Sequence, residues 1–183
     1  MGRARTARLG DPGEGTEKLA SAIRTLYGYS AWANERVLDT AAHLTPEQFA
    51  GTGAASDDSV RDTLIHILGA QRLWLSRWNG AAPGDRPGRG DVPDLAAIRT
   101  WWAALERDTR DFVAQLSDDD LARVVSYVNN RGETWAYPLW QQMIQQVNHA
   151  TQHRSEVAAM LTQFGHSPGD LDFLIYLDRQ NAR

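Results

Sequence analysis

The sequence predicts an all-α protein, a four-helix bundle with one crossover connection. Three observations predict this fold. Four long segments carry apolar residues at helical spacing, the segments that join them are rich in Gly, Pro, Ser and Asp, and strand-like alternation is confined to a short stretch before the last long segment. The sequence contains no internal repeat, and its 183 residues suffice for one hydrophobic core.

The first helix is predicted over residues 17–42, because apolar and small residues recur there at intervals of three and four. These residues are Leu19, Ile23, Leu26, Ser30, Ala33, Val37 and Ala41. Residues 45–48, Thr-Pro-Glu-Gln, then have the pattern of a capping box with Pro at the first helical position, which predicts a short helical turn. The second long helix is predicted over residues 59–78, because Ser59 can accept a hydrogen bond from the amide of Asp62.

Residues 79–91 contain four Gly and two Pro, a composition that ends a helix and predicts a loop. The third long helix is predicted over residues 95–116, directly after Pro93 and Asp94. Residues 117–120, Ser-Asp-Asp-Asp, have the pattern of a further helix start, but the chain soon changes to strand-like residues.

The segment before the last long helix has the composition of strands. Residues 124–128 and 133–137 are rich in Val, Tyr, Trp and Thr and are separated by Asn and Gly, which predicts a small β-hairpin or an extended crossover. The fourth long helix follows over residues 138–164, with Gly165 at the position that commonly ends a helix. The apolar tail at 168–177 is expected to pack back on the domain as a short helix.

Composition excludes several classes of protein. Residues 1–16 are rich in Arg and Gly and are expected to form a flexible leader, and residues 17–183 are expected to form a single domain. There is neither the apolar segment of a secretory signal nor a bilayer-spanning segment, so we expect a cytoplasmic protein without a membrane partner. A net charge of −4 disfavours a nucleic-acid partner. Because cysteine is absent, any metal must be held by His and oxygen, and any thiol must come from outside the chain.

His149 and His153 are the most informative residues, because an i, i+4 pair on a helix directs both imidazoles to the same side and can form half of a metal site. A third ligand would come from His43, His66 or His166. His43 follows the first helix, where an imidazole can cap the negative end of the helix dipole. His66 lies within an apolar helical segment, where a histidine is more often a hydrogen-bonded core residue than a ligand.

A helical projection of the fourth helix leaves two interpretations open. One side carries Gln142, Gln145, His149, His153, Glu156 and Met160, and nearly the opposite side is centred on Trp140, Met143, Val147 and Leu161. The polar side is either solvated, or it lines a pocket in which glutamines and Glu156 orient the imidazoles. Arg154 falls among the apolar positions, so its burial would require a carboxylate partner.

Four segments together are more specific than the histidine pair alone. They are residues 27–34 (YGYSAWAN), 59–74 (SVRDTLIHILGAQRLW), 149–154 (HATQHR) and 164–173 (FGHSPGDLDF). In order and spacing, over about residues 18–178, this combination resembles the DinB/YfiT-like family of metalloenzymes. The resemblance implies a four-helix bundle, commonly a homodimer, with one divalent ion held by three histidines. In this chain they are His66, His149 and His153.

The resemblance also implies a chemistry. Three neutral imidazoles leave a divalent ion an open position, as in catalytic sites, where zinc is our first choice and nickel, iron and manganese are alternatives. Relatives include transferases and an isomerase that use low-molecular-weight thiols, so we expect a small-molecule substrate and a thiol cosubstrate. The alternative function is a non-catalytic metal-binding or dimerising bundle with a stress-response or sensing role.

Tyr27, Asn34, Gln145 and Glu156 are candidates to line the pocket around such a metal, and the alternative is that each is a packing or surface residue. Trp32 and Trp74 are candidates to flank the cavity, whereas tryptophans in general are expected in the core. Glu156 departs from the Gln common in relatives at this position and would add negative charge near the site.

Overall fold

A computed structural model describes residues 18–51, 58–81, 92, 94–129 and 131–182. In chain order its elements are α1 (Lys18–Ala41), α2 (Pro46–Ala50), α3 (Val60–Trp78), α4 (Leu95–Ala114), α5 (Asp118–Ala122), β1 (Val124–Val128), β2 (Thr134–Pro138), α6 (Leu139–Gln163) and α7 (Phe173–Asn181). Both α1 and α3 pack on α4 and on α6, so the four long helices close into the predicted bundle.

The stripe that predicted α1 faces the core of the bundle. Ile23, Ser30, Ala33, Val37 and Ala41 are buried, and Leu19 and Leu26 are half-buried. The predicted leader at residues 1–16 and residues 82–91 of the predicted loop lie outside the described residues. None of the helices in the described ranges combines the length and the apolar character that crossing a bilayer requires.

Side-chain caps start the helices where the sequence predicted them. The Thr45 hydroxyl accepts a hydrogen bond from the Gln48 amide at 3.3 Å, and the Gln48 side chain accepts from the Thr45 amide at 3.0 Å, which completes the capping box of α2. The Ser59 hydroxyl accepts from the Asp62 amide at 3.0 Å. Ser117 and Asp120 form a second capping box at α5.

The predicted β-hairpin is present. β1 and β2 pair antiparallel, and the second strand is shifted by one residue from the prediction, to Thr134–Pro138. The Gln142 amide fastens the hairpin to α6, because it donates to the Val125 carbonyl at 2.7 Å and to the Tyr137 carbonyl at 2.9 Å. Gly165 follows α6 with φ +85°, as expected of a residue that ends a helix.

The tail packs back on the bundle as a helix that begins at Phe173, later than the prediction of 168–177 implied. It covers α1 through ring contacts, with 5.3 Å between the ring centroids of Tyr29 and Phe173 and 5.8 Å between those of Trp32 and Tyr176. Before the helix, the Pro168 carbonyl accepts hydrogen bonds from the Arg36 guanidinium, which holds this part of the tail extended against α1.

Arg154 is buried, as its position on α6 predicted, with 2% of its surface exposed. Its hydrogen-bond partners among the described residues are not the carboxylate that burial was expected to require. Its guanidinium donates to the Ser30 hydroxyl at 3.0 Å, the Asn34 side-chain oxygen at 2.9 Å and the Thr151 hydroxyl at 2.8 Å. These oxygens are neutral, and burial accordingly lowers the pKa of the Arg154 guanidinium from its usual value.

A carboxylate lies one residue further along this network. Glu106 Oε1 accepts from Asn34 Nδ2 at 3.1 Å, from Gln71 Nε2 at 3.3 Å and from Trp102 Nε1 at 3.1 Å. Asn34 therefore joins the two charges, since its oxygen accepts from Arg154 and its nitrogen donates to Glu106. This Glu106 network, formed by Glu106, Asn34, Gln71, Trp102 and Arg154, connects all four long helices.

Candidate metal centre

The three histidines predicted as ligands converge between α3 and α6. His66 Nε2 lies 3.1 Å from His149 Nε2. The His153 ring centroid lies 4.5 Å from that of His66 and 4.6 Å from that of His149. One nitrogen of each ring lies within 4.8 Å of the other two, and no other such group of His, Asp or Glu occurs in the described part of the chain.

The local sequence explains why His66 reaches this site. Its neighbours on α3, Leu64, Ile65, Ile67 and Leu68, are buried, whereas the His66 side chain is exposed. The interpretation of His66 as a core histidine is therefore wrong. His149 and His153 lie one turn apart on α6 and are half-buried, so α3 supplies one ring and α6 supplies two.

The donor set fits a divalent cation. Two ligands of a tetrahedral zinc ion with Zn–N distances of about 2.0–2.1 Å lie about 3.3 Å apart, close to the 3.1 Å between His66 Nε2 and His149 Nε2. The Glu156 carboxylate lies 2.7 Å from His153 Nδ1. A carboxylate in that position accepts from Nδ1–H, which leaves the lone pair of Nε2 available to a metal.

The polar side of α6 is neither a solvated face nor wholly a buried pocket. Gln142 and Met160 are buried, Gln145 is exposed, and His149, His153 and Glu156 are half-buried. The two ends of this stripe are therefore buried, and the histidines between them are partly open where they meet His66.

A cavity of about 490 Å³ opens beside the site, with His66 and His149 in its wall. Trp74, Tyr127 and Trp135 form an aromatic part of the same wall. The cavity therefore has access to two of the three histidines, whereas His153 contacts Glu156.

The other predicted pocket residues are distributed over the molecule. Glu156 contacts a predicted ligand, and Gln145 lines a neighbouring cavity of about 280 Å³ at the hairpin. Asn34 belongs to the Glu106 network, away from the histidines. Tyr27 lines a separate cavity of about 250 Å³, and Glu106 lies in the same wall. Burial raises the pKa of the Tyr27 hydroxyl, and the negative charge of Glu106 contributes a smaller part of this increase.

Trp74 flanks the cavity as predicted, but Trp32 packs against α7, so the prediction for Trp32 is wrong. His43 and His166 stack on each other with 5.6 Å between ring centroids, and His43 Nδ1 lies 3.2 Å from the Thr40 carbonyl at the end of α1. The capping interpretation of His43 agrees with this contact.

Sequence reasoning did not find Arg77, Tyr127, Arg131 and Trp135, which all line the cavity. For the two aromatic residues a signal existed, because Tyr127 and Trp135 are paired across the hairpin and so lie on the same face of it.

Comparisons with known proteins agree with this architecture. The model of the DinB family matches residues 16–183. Protein DinB of Bacillus subtilis (strain 168) is 22% identical over 159 residues, which cover 83% of this chain and 91% of that protein. Among solved structures, a DinB-like protein from Bacillus cereus ATCC 10987 superimposes with a TM-score of 0.59 at 18% identity, over 82% of this chain and 95% of that one. A conserved protein from Enterococcus faecalis gives a TM-score of 0.59 at 14% identity, over 80% of this chain and 96% of that one. The chain belongs to the DinB family.

Proposed function

We propose that the protein is a metal-dependent enzyme in which His66, His149 and His153 hold one divalent cation beside a cavity for a small-molecule substrate. The observation that carries this proposal is the convergence of three ring nitrogens within 4.8 Å of one another, two of the rings lining a cavity of about 490 Å³. A purely structural metal site would be closed by a fourth protein ligand.

Zinc is the metal we propose first, with nickel, iron and manganese as alternatives, because imidazole ligands suit several of these ions. A divalent cation held by three imidazoles offers an open position and lowers the pKa of a water or thiol that occupies it.

The side chains around the histidines have separate tasks in this proposal. Glu156 holds the His153 ring in one orientation and one tautomer through its contact with Nδ1. Trp74, Tyr127 and Trp135 shield one side of the cavity from water, which strengthens the electrostatic interactions inside it.

A low-molecular-weight thiol is the cosubstrate that we propose, since the chain has no cysteine to act as the nucleophile. In a transferase reaction, the thiol sulfur would bond to an electrophilic carbon, the leaving group would depart with its electron pair, and the thiol proton would pass to solvent. In an isomerase reaction, the thiol would add to the substrate and leave again after a bond rotation.

The test begins with metal analysis of the purified protein. The wild type should bind about one equivalent of divalent metal, and the His149→Ala/His153→Ala variant should bind none at the same concentration, because at most one ligand remains. The matched control is His43→Ala/His166→Ala, which also removes two neighbouring histidines and should bind metal like the wild type. Equal, negligible metal in the wild type and the His149→Ala/His153→Ala variant would contradict the proposal.

A screen of reactive electrophiles with candidate thiols then tests catalysis. Turnover should be found in the metal-loaded wild type and lost in His66→Ala. Stoichiometric metal without turnover against the panel would favour the alternative, a non-catalytic metal-binding bundle.

A further inference from the structure

The cavity beside the histidines carries more positive than negative charge in its wall. Arg77 and Arg131 line it, and Glu133 is the carboxylate among its described lining residues. The chain as a whole has a net charge of −4, so this wall is a basic region of an acidic protein. A cleft lined by charge of one sign concentrates ligands of the opposite sign. The balance of charge therefore favours an anionic ligand.

Hydrogen bonds to Asn129 hold the backbone of Arg131 and Glu133, two residues that line the cavity. The Asn129 side-chain oxygen accepts from the Arg131 amide at 2.9 Å and from the Glu133 amide at 3.0 Å. The Gly132 amide donates to the Asn129 carbonyl at 3.1 Å, and Gly132 has φ +79°, which favours glycine. Asn129 therefore fixes the backbone at Arg131 through hydrogen bonds.

The two charged side chains of this segment, Arg131 and Glu133, differ in their hydrogen-bond partners. The Glu133 carboxylate accepts from the Asn129 side-chain nitrogen at 2.7 Å. No hydrogen bond or ion pair joins the Arg131 guanidinium to another residue that the structure describes. Arg131 is exposed and lines the cavity, and the planar set of donors of its guanidinium matches a carboxylate in two-point contact.

The aromatic part of the wall lies next to this cation. The ring centroids of Trp74 and Tyr127 are 5.1 Å apart, and those of Tyr127 and Trp135 are 6.3 Å apart. The Arg77 guanidinium stacks 4.3 Å from the Tyr127 centroid and donates to the Val128 carbonyl, so it is fixed as part of the wall. Flat aromatic surfaces of this kind favour a planar apolar group.

We propose that this cavity binds a planar organic acid. The carboxylate of the ligand accepts hydrogen bonds from Arg131, and its aromatic or conjugated part lies against Trp74, Tyr127 and Trp135. This inference rests on the proposed function, since it names the substrate class of the same site. It assigns Arg131 as the residue that selects for negative charge.

The contrast with the larger cavity between α3 and α4 supports the choice of site. Among the residues that the structure describes, that cavity, of about 790 Å³, is lined by Asp108, Asp111 and Arg72. This described part of its wall carries more negative than positive charge, which disfavours an acid. An acid is therefore favoured at the histidine cavity and disfavoured at the larger one.

The experiment measures the binding of benzoate and of its neutral isostere benzamide by calorimetry, with both metal-free and zinc-loaded protein. Arg131→Gln should weaken benzoate binding about ten- to a hundredfold, the range for loss of a charge-assisted hydrogen bond. Arg131→Lys, which keeps the charge but loses the planar fork, should lie between the wild type and Arg131→Gln. Benzamide should bind more weakly than benzoate and should not respond to the change at Arg131.

The matched control is Arg107→Gln, which removes the same charge from an exposed position on α4 outside the cavity wall. It should bind benzoate like the wild type. Equal benzoate binding by the wild type and Arg131→Gln, equal binding of benzoate and benzamide, or no benzoate binding by the wild type would each overturn the inference. So would benzoate binding that is lost in His149→Ala/His153→Ala but kept in Arg131→Gln, because the carboxylate would then bind the metal.

The two proposals fail in different ways. A wild type that binds no zinc but shows Arg131-dependent benzoate binding would contradict the metal-dependent function alone. A wild type that binds zinc but shows no dependence on Arg131 would contradict the organic-acid inference alone.

Discussion

Glu156 lies one turn beyond His153 on α6, and its carboxylate is 2.7 Å from the Nδ1 of that ring. A carboxylate in this position fixes the ring and selects the tautomer. Its charge also reduces the net positive charge of a metal held by three neutral imidazoles. Glu156 is not itself a predicted ligand, but it would affect the affinity of the three histidines for a metal.

We predict that Glu156→Ala lowers the affinity for zinc about 10- to 100-fold, because His153 loses the group that orients it. Glu156→Gln should lower the affinity less, since an amide oxygen still accepts from Nδ1–H. A competition titration with a zinc-binding dye measures both. Glu35→Ala, which removes an exposed carboxylate from α1, serves as the control, and an affinity in Glu156→Ala equal to that of this control would contradict the prediction.

At the residue scale, the convergence of the three histidines was predictable, and their surroundings were only partly so. The i, i+4 spacing placed His149 and His153 together, and the family resemblance added His66. The neutral partners of Arg154 were not predictable, because they depend on Asn34 joining two charges from three helices. Sequence patterns do not contain that information.

The hairpin is the element that decides the shape of the candidate site. It supplies Tyr127 and Trp135 to the cavity wall, and the turn between its strands supplies Arg131. Gln142, which is 2% exposed, attaches it to α6 by donating to one carbonyl of each strand, and Arg77 of α3 donates to the Val128 carbonyl. An isolated two-stranded sheet is only marginally stable, so its attachment to the bundle determines the position of the cavity wall.

We predict that Gln142→Leu destabilises the protein by about 1–3 kcal/mol, because two partly buried hydrogen bonds to strand carbonyls are lost. Amide hydrogen exchange should accelerate in β1 and β2 more than in α1, and equilibrium urea unfolding measures the total loss. Gln141→Leu, a change at an exposed position next to it, should leave both measurements near those of the wild type. Unchanged exchange in the hairpin of Gln142→Leu would show that other contacts hold it.

Helix starts were predictable at this scale, because Thr45, Ser59 and Ser117 carry their capping signals in the local sequence. The hairpin was predicted to within one residue. The packing of the hairpin against α6 was not predicted, because the burial of Gln142 beneath both strands depends on tertiary contacts. The cavity wall built by the hairpin was therefore missed, whereas the fold class was right.

In the whole molecule, a metal at this site would connect α3 to α6, the two long helices that carry the ligands. Binding to the folded state alone stabilises it, by about 4 kcal/mol when free metal exceeds the dissociation constant a thousandfold. Metal binding at this site would therefore be coupled to the stability of the bundle.

We expect zinc to raise the midpoint of thermal unfolding and a chelator to reverse the rise. The His149→Ala/His153→Ala variant should show neither change, whereas His43→Ala/His166→Ala should show both. Differential scanning calorimetry with and without metal provides the measurement. A midpoint that is independent of zinc in the wild type would contradict specific binding to the folded state.

We also propose that the protein forms a homodimer. Leu174 and Phe173 on α7 are apolar, with 70% and 37% of their surface exposed, and such side chains are often covered in a partner interface. Light scattering at micromolar concentration should give about twice the chain mass of 20.4 kDa. Leu174→Glu should shift the protein toward the monomer, and a wild type that is already monomeric would contradict the proposal.

The Glu106 network has a consequence for how this chain can vary among its relatives. Asn34 and Arg154 are buried and Glu106 is half-buried, and Asn34 bonds to both charges, so loss of any one of the three removes a hydrogen-bond partner from the others. A single substitution there is costly, but concerted replacement by apolar residues of similar volume is much less so. These positions should consequently covary, kept together in some lineages and exchanged together in others.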